Sequence, residues 1–171
     1  CWRKANPHGV ETFLEAIYNS CNPVFVKVAQ KLGITKFYEY VEMFGFREKT
    51  GINLPGEEIG IFHEEPMEID MAVASFGQRF TITPMQLVSA YNAIANGGYL
   101  MAPMLVKEIL DDNGNVGERF QPSVVRQVIS EETSKTMAKV LEGVVSEGTG
   151  KNAFVPGYRI AGKTGTSQTT E

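Results

Sequence analysis

The chain is poor in the residues that build metal centres: it holds two cysteines, two histidines and a single tryptophan among 171 residues. Cys1 and Cys21 are widely separated, His8 and His63 sit in unrelated segments, and no CxxC or HxxxH spacing occurs. A structural zinc site is therefore not expected, and no metal or cofactor is assigned. A basic excess is also missing: sixteen Lys and Arg against twenty Asp and Glu give a net charge of −4. With a pI near 5.3 and no basic face, a nucleic-acid partner is excluded. No apolar run approaches the length that spans a bilayer, and no apolar stretch follows Cys1-Trp2-Arg3-Lys4 to make a signal peptide. The chain opens without methionine, so it reads as an internal piece whose anchor or export signal would lie upstream. What is present is ample core material, 43% hydrophobic and 10% aromatic, which rules out disorder and suits one domain.

The N-terminal third reads as helices with clear punctuation. Phe13, Leu14 and Ile17 share one side of a helix over 10–19. Asn22 reads as an N-cap with Pro23 at the first helical position, opening a helix that carries Val24, Phe25, Val28 and Leu32 inward to Gly33. Thr35 caps a third helix with Phe37, Tyr40, Val41 and Phe44 as its apolar face, and Gly45 stops it. Ser20 and Asn22 thus fall at a junction between helices, which can hold side chains rigidly yet leave them accessible.

Residues 46–66 hold many breakers and no period, which predicts a long surface loop. A short helix over 68–76 follows, then a second cap-and-proline start at Thr83-Pro84, with Leu87, Val88, Tyr91, Ile94 and Ala95 placed inside. The period then shortens to two. Residues 106–110 and 116–120 flank Asp111-Asp112-Asn113-Gly114-Asn115 as a hairpin, and 124–129 reads as another strand. Ser130 caps the clearest helix, whose Met137, Val140, Leu141, Val144 and Val145 keep helical spacing up to Gly148 and Gly150. Tyr158 to Thr166 reads as a last strand. Mixed helix and strand in one unit makes the fold class α+β.

The C-terminal segment carries two signals. Gly157 to Thr164 satisfies the spacing of a phosphate-binding P-loop, but Pro156 precedes it, strand-like residues fill it, and poor helix formers follow. The competing reading is Lys163-Thr164-Gly165 on an edge strand beside a cleft. There lysine supplies positive charge, threonine a hydroxyl for a carboxylate, and glycine a close backbone approach. Alone, such a tripeptide means little. Beside Ser20-x-Asn22 it means more.

Together these motifs resemble the penicillin-recognising serine transferases, whose signatures are S-x-x-K, S-x-N and K-T-G. Ser20-Cys21-Asn22-Pro23-Val24-Phe25, Gly77-Gln78, Thr83-Pro84-Met85-Gln86, Asn96-Gly97-Gly98, Gly148-Thr149-Gly150 and Ala161-Gly162-Lys163-Thr164-Gly165-Thr166 are similar, in order, to a class B penicillin-binding protein. Cys1-Trp2 and the Ser-Cys-Asn form resemble sporulation-type members. One departure matters. No Ser-x-x-Lys occurs in the 171 residues, and the nearest match, Thr136-Met137-Ala138-Lys139, starts with the wrong residue.

The resemblance implies a penicillin-binding, serine β-lactamase-like transpeptidase fold, of which 1–171 would be a part lacking the upstream nucleophile segment and downstream sheet strands. It implies proton transfer by Ser20, amide binding by Asn22, a positive cleft from Lys163, carboxylate binding by Thr164 and Thr166, and close backbone approach at Gly165. Thr166 N–H would complete an oxyanion hole with the missing serine. The implied reaction cross-links D-Ala-D-Ala stem peptides of peptidoglycan through a serine ester that β-lactams trap. The parent would be membrane-anchored, facing the cell wall within a synthesis complex, and this piece alone would be inactive. The alternative on the same fold is a non-catalytic β-lactam sensor or scaffold module.

Set against these are plainer readings. Ser20 and Asn22 serve equally as helix caps; Phe37, Phe44 and Tyr91 read as core; His8 and His63 as surface residues; Glu57, Glu58, Glu64 and Glu65 as solvated loop charges. Cys1 and Cys21 are a candidate redox pair next to the Ser20 junction, with two free buried thiols as the alternative.

Overall fold

A computed structural model describes residues 7–167. The chain divides into two compact units, one formed by Cys1–Glu39, Phe62–Phe80 and Lys135–Glu171, the other by Tyr40–Ile61 and Thr81–Ser134.

The first unit is helical. Its elements are α1 (Phe13–Tyr18), α2 (Asn22–Leu32), the start of α3 (Ile34–Met43), α4 (Glu68–Ala74), most of α6 (Glu131–Ser146) and a 3-10 turn at Lys151–Ala153. α1 is shorter than its period predicts because Thr12 and Glu15 form a reciprocal capping box that fixes the start at Phe13. Ala16 and Ile17 are buried, whereas Phe13 and Leu14 are exposed, against expectation. α2 begins one residue before its expected start: Cys21, in extended backbone, is the N-cap, and its carbonyl accepts from Val24 and Phe25. Ala29 is the buried residue of α2, while Val28 and Leu32 are open. The core of this unit gathers Ala16, Ile17, Cys21, Ala29, Tyr38, Met71, Leu141, Val144 and Val145.

Glycine makes one contact in this unit feasible. A Cβ on Gly143 would overlap the Tyr18 phenol, so the bare backbone of α6 lets the α1 tyrosine lie against it. Residues 158–166 form no ladder; Gly162 N–H donates to Leu141 O at 3.2 Å. The expected strand has alternation without a neighbour, since no strand of the described residues pairs with it.

The second unit joins α5 (Pro84–Ala95) to four short strands. β1 (Tyr99–Met101) pairs antiparallel with β4 (Val124–Gln127), and β2 (Glu108–Leu110) with β3 (Val116–Arg119). The hairpin turn is organised by Asp111, whose carboxylate accepts from Asn113 N, Asn115 N and Asn115 Nδ2. Thr83 and Gln86 form the capping box of α5, with Pro84 first in the helix. Its buried stripe, however, is Gln86, Ser89, Ala90 and Ala93; Leu87, Val88 and Tyr91 face outward, against expectation. Ala93, Leu100 and Val128 form the core with Tyr40, Met43, Phe44 and Ile129 packed on it.

Gln86 ties the 46–66 loop down. Fully buried, it donates from Nε2 to Gly45 O, Phe46 O and Glu48 O, and accepts at Oε1 from Gly60 N and Thr83 N. Glu57 also departs from the solvated-charge reading, accepting from Thr50 N, Thr50 Oγ1 and Gly51 N, bonds that hold its carboxyl below the usual range despite desolvation. Among the described residues no helix is long and apolar enough to cross a membrane.

Candidate active site

The junction between α1 and α2 is where the chain accepts strain. Ser20 has φ 54°, a left-handed conformation that a non-glycine residue rarely takes. It is held there by its own N–H on Ile17 O and by Cys21 N–H on Ala16 O. Such an outlier persists only where surrounding bonds over-determine it, and it turns the serine side chain off the helical path.

Opposite Ser20 comes the C-terminal segment. Lys163 Nζ donates to Ser20 Oγ at 2.7 Å, to Thr164 O at 3.1 Å and to Thr164 Oγ1 at 3.4 Å. Thr164 Oγ1 lies 3.0 Å from Thr149 Oγ1, and Thr149 N–H returns to Tyr18 O at 3.0 Å. The turn after α6 therefore braces both sides of the Lys163–Ser20 contact. Burial lowers the Lys163 pKa, because the ammonium loses hydration. Further along, Gln78 Nε2 donates to Thr166 O at 3.1 Å and Ser167 Oγ to Gln78 Oε1 at 3.4 Å. The result is an accessible cation wired to a hydroxyl, with threonine hydroxyls beside it. That set can bind a carboxylate and move a proton at one oxygen.

The structure thus brings together Ser20, Lys163 and Thr164, and puts Asn22 at the first residue of α2. Gly165 and Thr166 are exposed on the same segment. Sequence reasoning missed Tyr18, Gln78 and Thr149 as supports, although Gly77-Gln78 and Gly148-Thr149-Gly150 were already visible as glycine-flanked polar residues. Cys21 is buried, and burial, with the adjacent Glu11 carboxylate, pushes its thiol pKa up. Its suggested partner Cys1 lies outside the described residues. His8 is not a surface residue, as its side chain is only 9% exposed; His63 is half exposed.

Against known proteins, residues 1–171 match the penicillin binding protein transpeptidase domain. Stage V sporulation protein D of Bacillus subtilis is 47% identical over 98% of this chain and 26% of its own length. Penicillin-binding protein PbpB of Mycolicibacterium smegmatis is 34% identical over 97% of this chain and 27% of its own. The crystal structure of penicillin-binding protein 3 from Mycobacterium tuberculosis, complexed with ampicillin, superposes with a TM-score of 0.89 at 32% identity, covering 98% of this chain and 39% of that one. Fold and site together define a transpeptidase domain. The chain belongs to the penicillin-binding protein transpeptidase family, in its class B branch. It spans about a quarter of the length of these curated relatives.

Proposed function

We propose that this chain is the Ser-x-Asn and Lys-Thr-Gly part of a serine D,D-transpeptidase that cross-links peptidoglycan stem peptides and is acylated by β-lactams. The observation that carries the reading is the 2.7 Å bond from Lys163 Nζ to Ser20 Oγ. With its oxygen accepting from the ammonium, Ser20 keeps its own O–H for another acceptor. In the reaction that acceptor is the leaving amine: Ser20 relays to it a proton taken up from the nucleophile's partner lysine, which lies outside these residues, while Lys163 steadies the oxygen. Thr164 and Thr166 take the substrate carboxylate next to the lysine charge, Gly165 admits it to the backbone, and Asn22 holds the amide. One relative named a peptidoglycan D,D-transpeptidase, MrdA of Acinetobacter baumannii, is 30% identical over 98% of this chain. A sporulation setting is favoured by the 47% identity to stage V sporulation protein D.

The ester-forming serine is to be supplied by chain outside these residues, since no Ser-x-x-Lys is present. The open apolar side chains of Phe13, Leu14, Val28, Leu32, Leu87 and Val88 are what the rest of such a domain would cover. In this reading the parent works at the outer face of the cell membrane, anchored by another segment, within a wall-synthesis complex. Intact-mass analysis with penicillin tests this reading on two chains, the 171 residues and the full-length polypeptide. A single adduct on the longer chain alone is expected. An adduct on the short chain would misplace the nucleophile, and none on a folded long chain would point to a non-catalytic relative.

A further inference from the structure

Among the described residues two non-glycine positions carry positive φ, and one of them, Ser20, lies in the site. The other is Arg79, at φ 64°. Such outliers cluster at active sites, clamps and switches, where the surrounding structure over-determines them. The turn that holds Arg79 begins as a helix stop. Gly77 N–H donates to Ala74 O at 2.9 Å and Gln78 N–H to Val73 O at 3.3 Å, the paired bonds by which a left-handed glycine ends a helix. Gln78 comes directly after that glycine, and Arg79 then takes a second left-handed step. Two contacts hold the step in place. The Arg79 guanidinium lies 4.0 Å from Asp70 Oδ1, on a side chain only 8% exposed whose other oxygen accepts from Met67 N–H. Beyond it Phe80 stacks on Phe62, with ring centres 4.7 Å apart.

The side chain that this turn presents is Gln78. Its Nε2 donates to Thr166 O at 3.1 Å and its Oε1 accepts from Ser167 Oγ at 3.4 Å. Both ends of one amide thus grip two consecutive residues, much as a neighbouring strand would. Earlier positions of the segment are held by other elements: Gly162 by α6, Lys163 by Ser20 and Thr164 by Thr149. Between the braces at Thr164 and Thr166 lies Gly165, the residue type with the freest backbone.

We infer that Gln78 is a positioning residue for acylation, acting through the Thr166 backbone. The inference rests on the reading above, in which Thr166 N–H is one donor of the oxyanion hole. As the ester-forming serine attacks the carbonyl carbon, an electron pair moves onto the carbonyl oxygen. That oxygen needs donors already aimed at it from about 2.7–3.1 Å. Holding Thr166 O fixes the backbone on one side of Thr166, and the Thr149 bond to Thr164 fixes it on the other. Without the amide, rotation at Gly165 lets the donor drift. Gln78 touches no reacting atom, so its loss leaves the substrate's own contacts in place and costs rate rather than affinity.

The test follows penicillin acylation of the full-length protein by quenched-flow intact mass over a range of penicillin concentrations. This separates dissociation of the first complex from the rate constant of ester formation. Gln78→Ala is expected to lower that rate constant by about 10–100-fold, with a much smaller change in dissociation. Gln78→Glu keeps the shape but, ionised, sets an oxygen against Thr166 O, and should be at least as slow at neutral pH. As pH falls through the carboxylate range, the protonated acid can donate to Thr166 O in the amide's place. The rate of Gln78→Glu relative to wild type should then climb, while that of Gln78→Ala stays flat. A merely structural role would not produce this divergence. Circular dichroism reports folding, and if Gln78→Ala does not fold, the pH profile of Gln78→Glu decides. A wild-type rate constant in folded Gln78→Ala, a loss confined to dissociation, or a flat Gln78→Glu ratio would overturn the inference. No adduct on the wild-type protein would overturn instead the reading of the site on which it rests.

Discussion

Lys163 Nζ reaches Ser20 Oγ at 2.7 Å across 143 positions of chain, and each partner is held by a different device. Ser20 owes its place to a strained turn at φ 54°, Lys163 to a segment braced by Thr149 and Gly162. Half-buried, the ammonium has given up hydration that the serine oxygen and the Thr164 carbonyl only partly replace. In the proposed reaction such a residue would serve chemistry at the expense of stability.

That trade is measurable. With its pKa lowered in the folded state, Lys163 binds its proton more tightly in the unfolded chain. It therefore opposes folding while protonated in both states, and the opposition is relieved as pH rises through the lowered value toward the ordinary lysine range. Lys163→Met should raise the melting temperature at neutral pH, where the lysine is protonated in both states. The gain should shrink as the solution becomes alkaline. Thermal melts across pH check it; a variant that melts lower at neutral pH contradicts it.

Gln86 is the stability counterpart. Gln86→Leu keeps the volume but strands Gly60 N and the loop carbonyls of Gly45, Phe46 and Glu48. A loss of about 2–4 kcal/mol is expected, from two or more buried groups left without partners. Denaturant titration gives the value, and a loss below about 1 kcal/mol would mean that water reaches those groups.

How far such features were legible depends on the element. Two helix starts were plain: Thr83 with Pro84 opens α5, and Ser130 opens α6, where Ser130 Oγ accepts from Thr133 N. The Asn-Gly hairpin was equally clear. The buried stripe of α5 was not, because helical period fixes spacing but not which stripe turns inward. Here small and polar residues, Ser89, Ala90, Ala93 and Gln86, take the inside while Leu87, Val88 and Tyr91 stay out. Three-residue β1 is too short for any period to show.

In the site, Ser20, Asn22, Lys163 and Thr164 were legible as motif residues. Their supports were not: Tyr18 contributes a backbone carbonyl that no pattern marks, and the Gly148-Thr149-Gly150 motif does not reveal that the Thr149 hydroxyl meets Thr164.

Gly98 offers a sharper packing test. At φ 93° its missing Cβ leaves room for the Ile129 carbonyl, and its own carbonyl accepts Val128 N–H at 2.7 Å where β1 meets β4. Gly98→Ala should cost about 1–3 kcal/mol, adding overlap to an unfavourable backbone. Melting curves check this, and an unchanged melting temperature would show that the turn yields freely.

The central claim is that Ser20 and Lys163 work together in acylation. Its most direct test is the time course of penicillin acylation, followed by intact mass, for the full-length protein and its Ser20→Ala and Lys163→Ala variants. Each change should slow ester formation by about 10²–10⁴-fold without altering the mass of the adduct. The double variant should be little slower than either single one, as expected for groups acting as a unit. Acylation at the wild-type rate in either folded single variant would contradict the account.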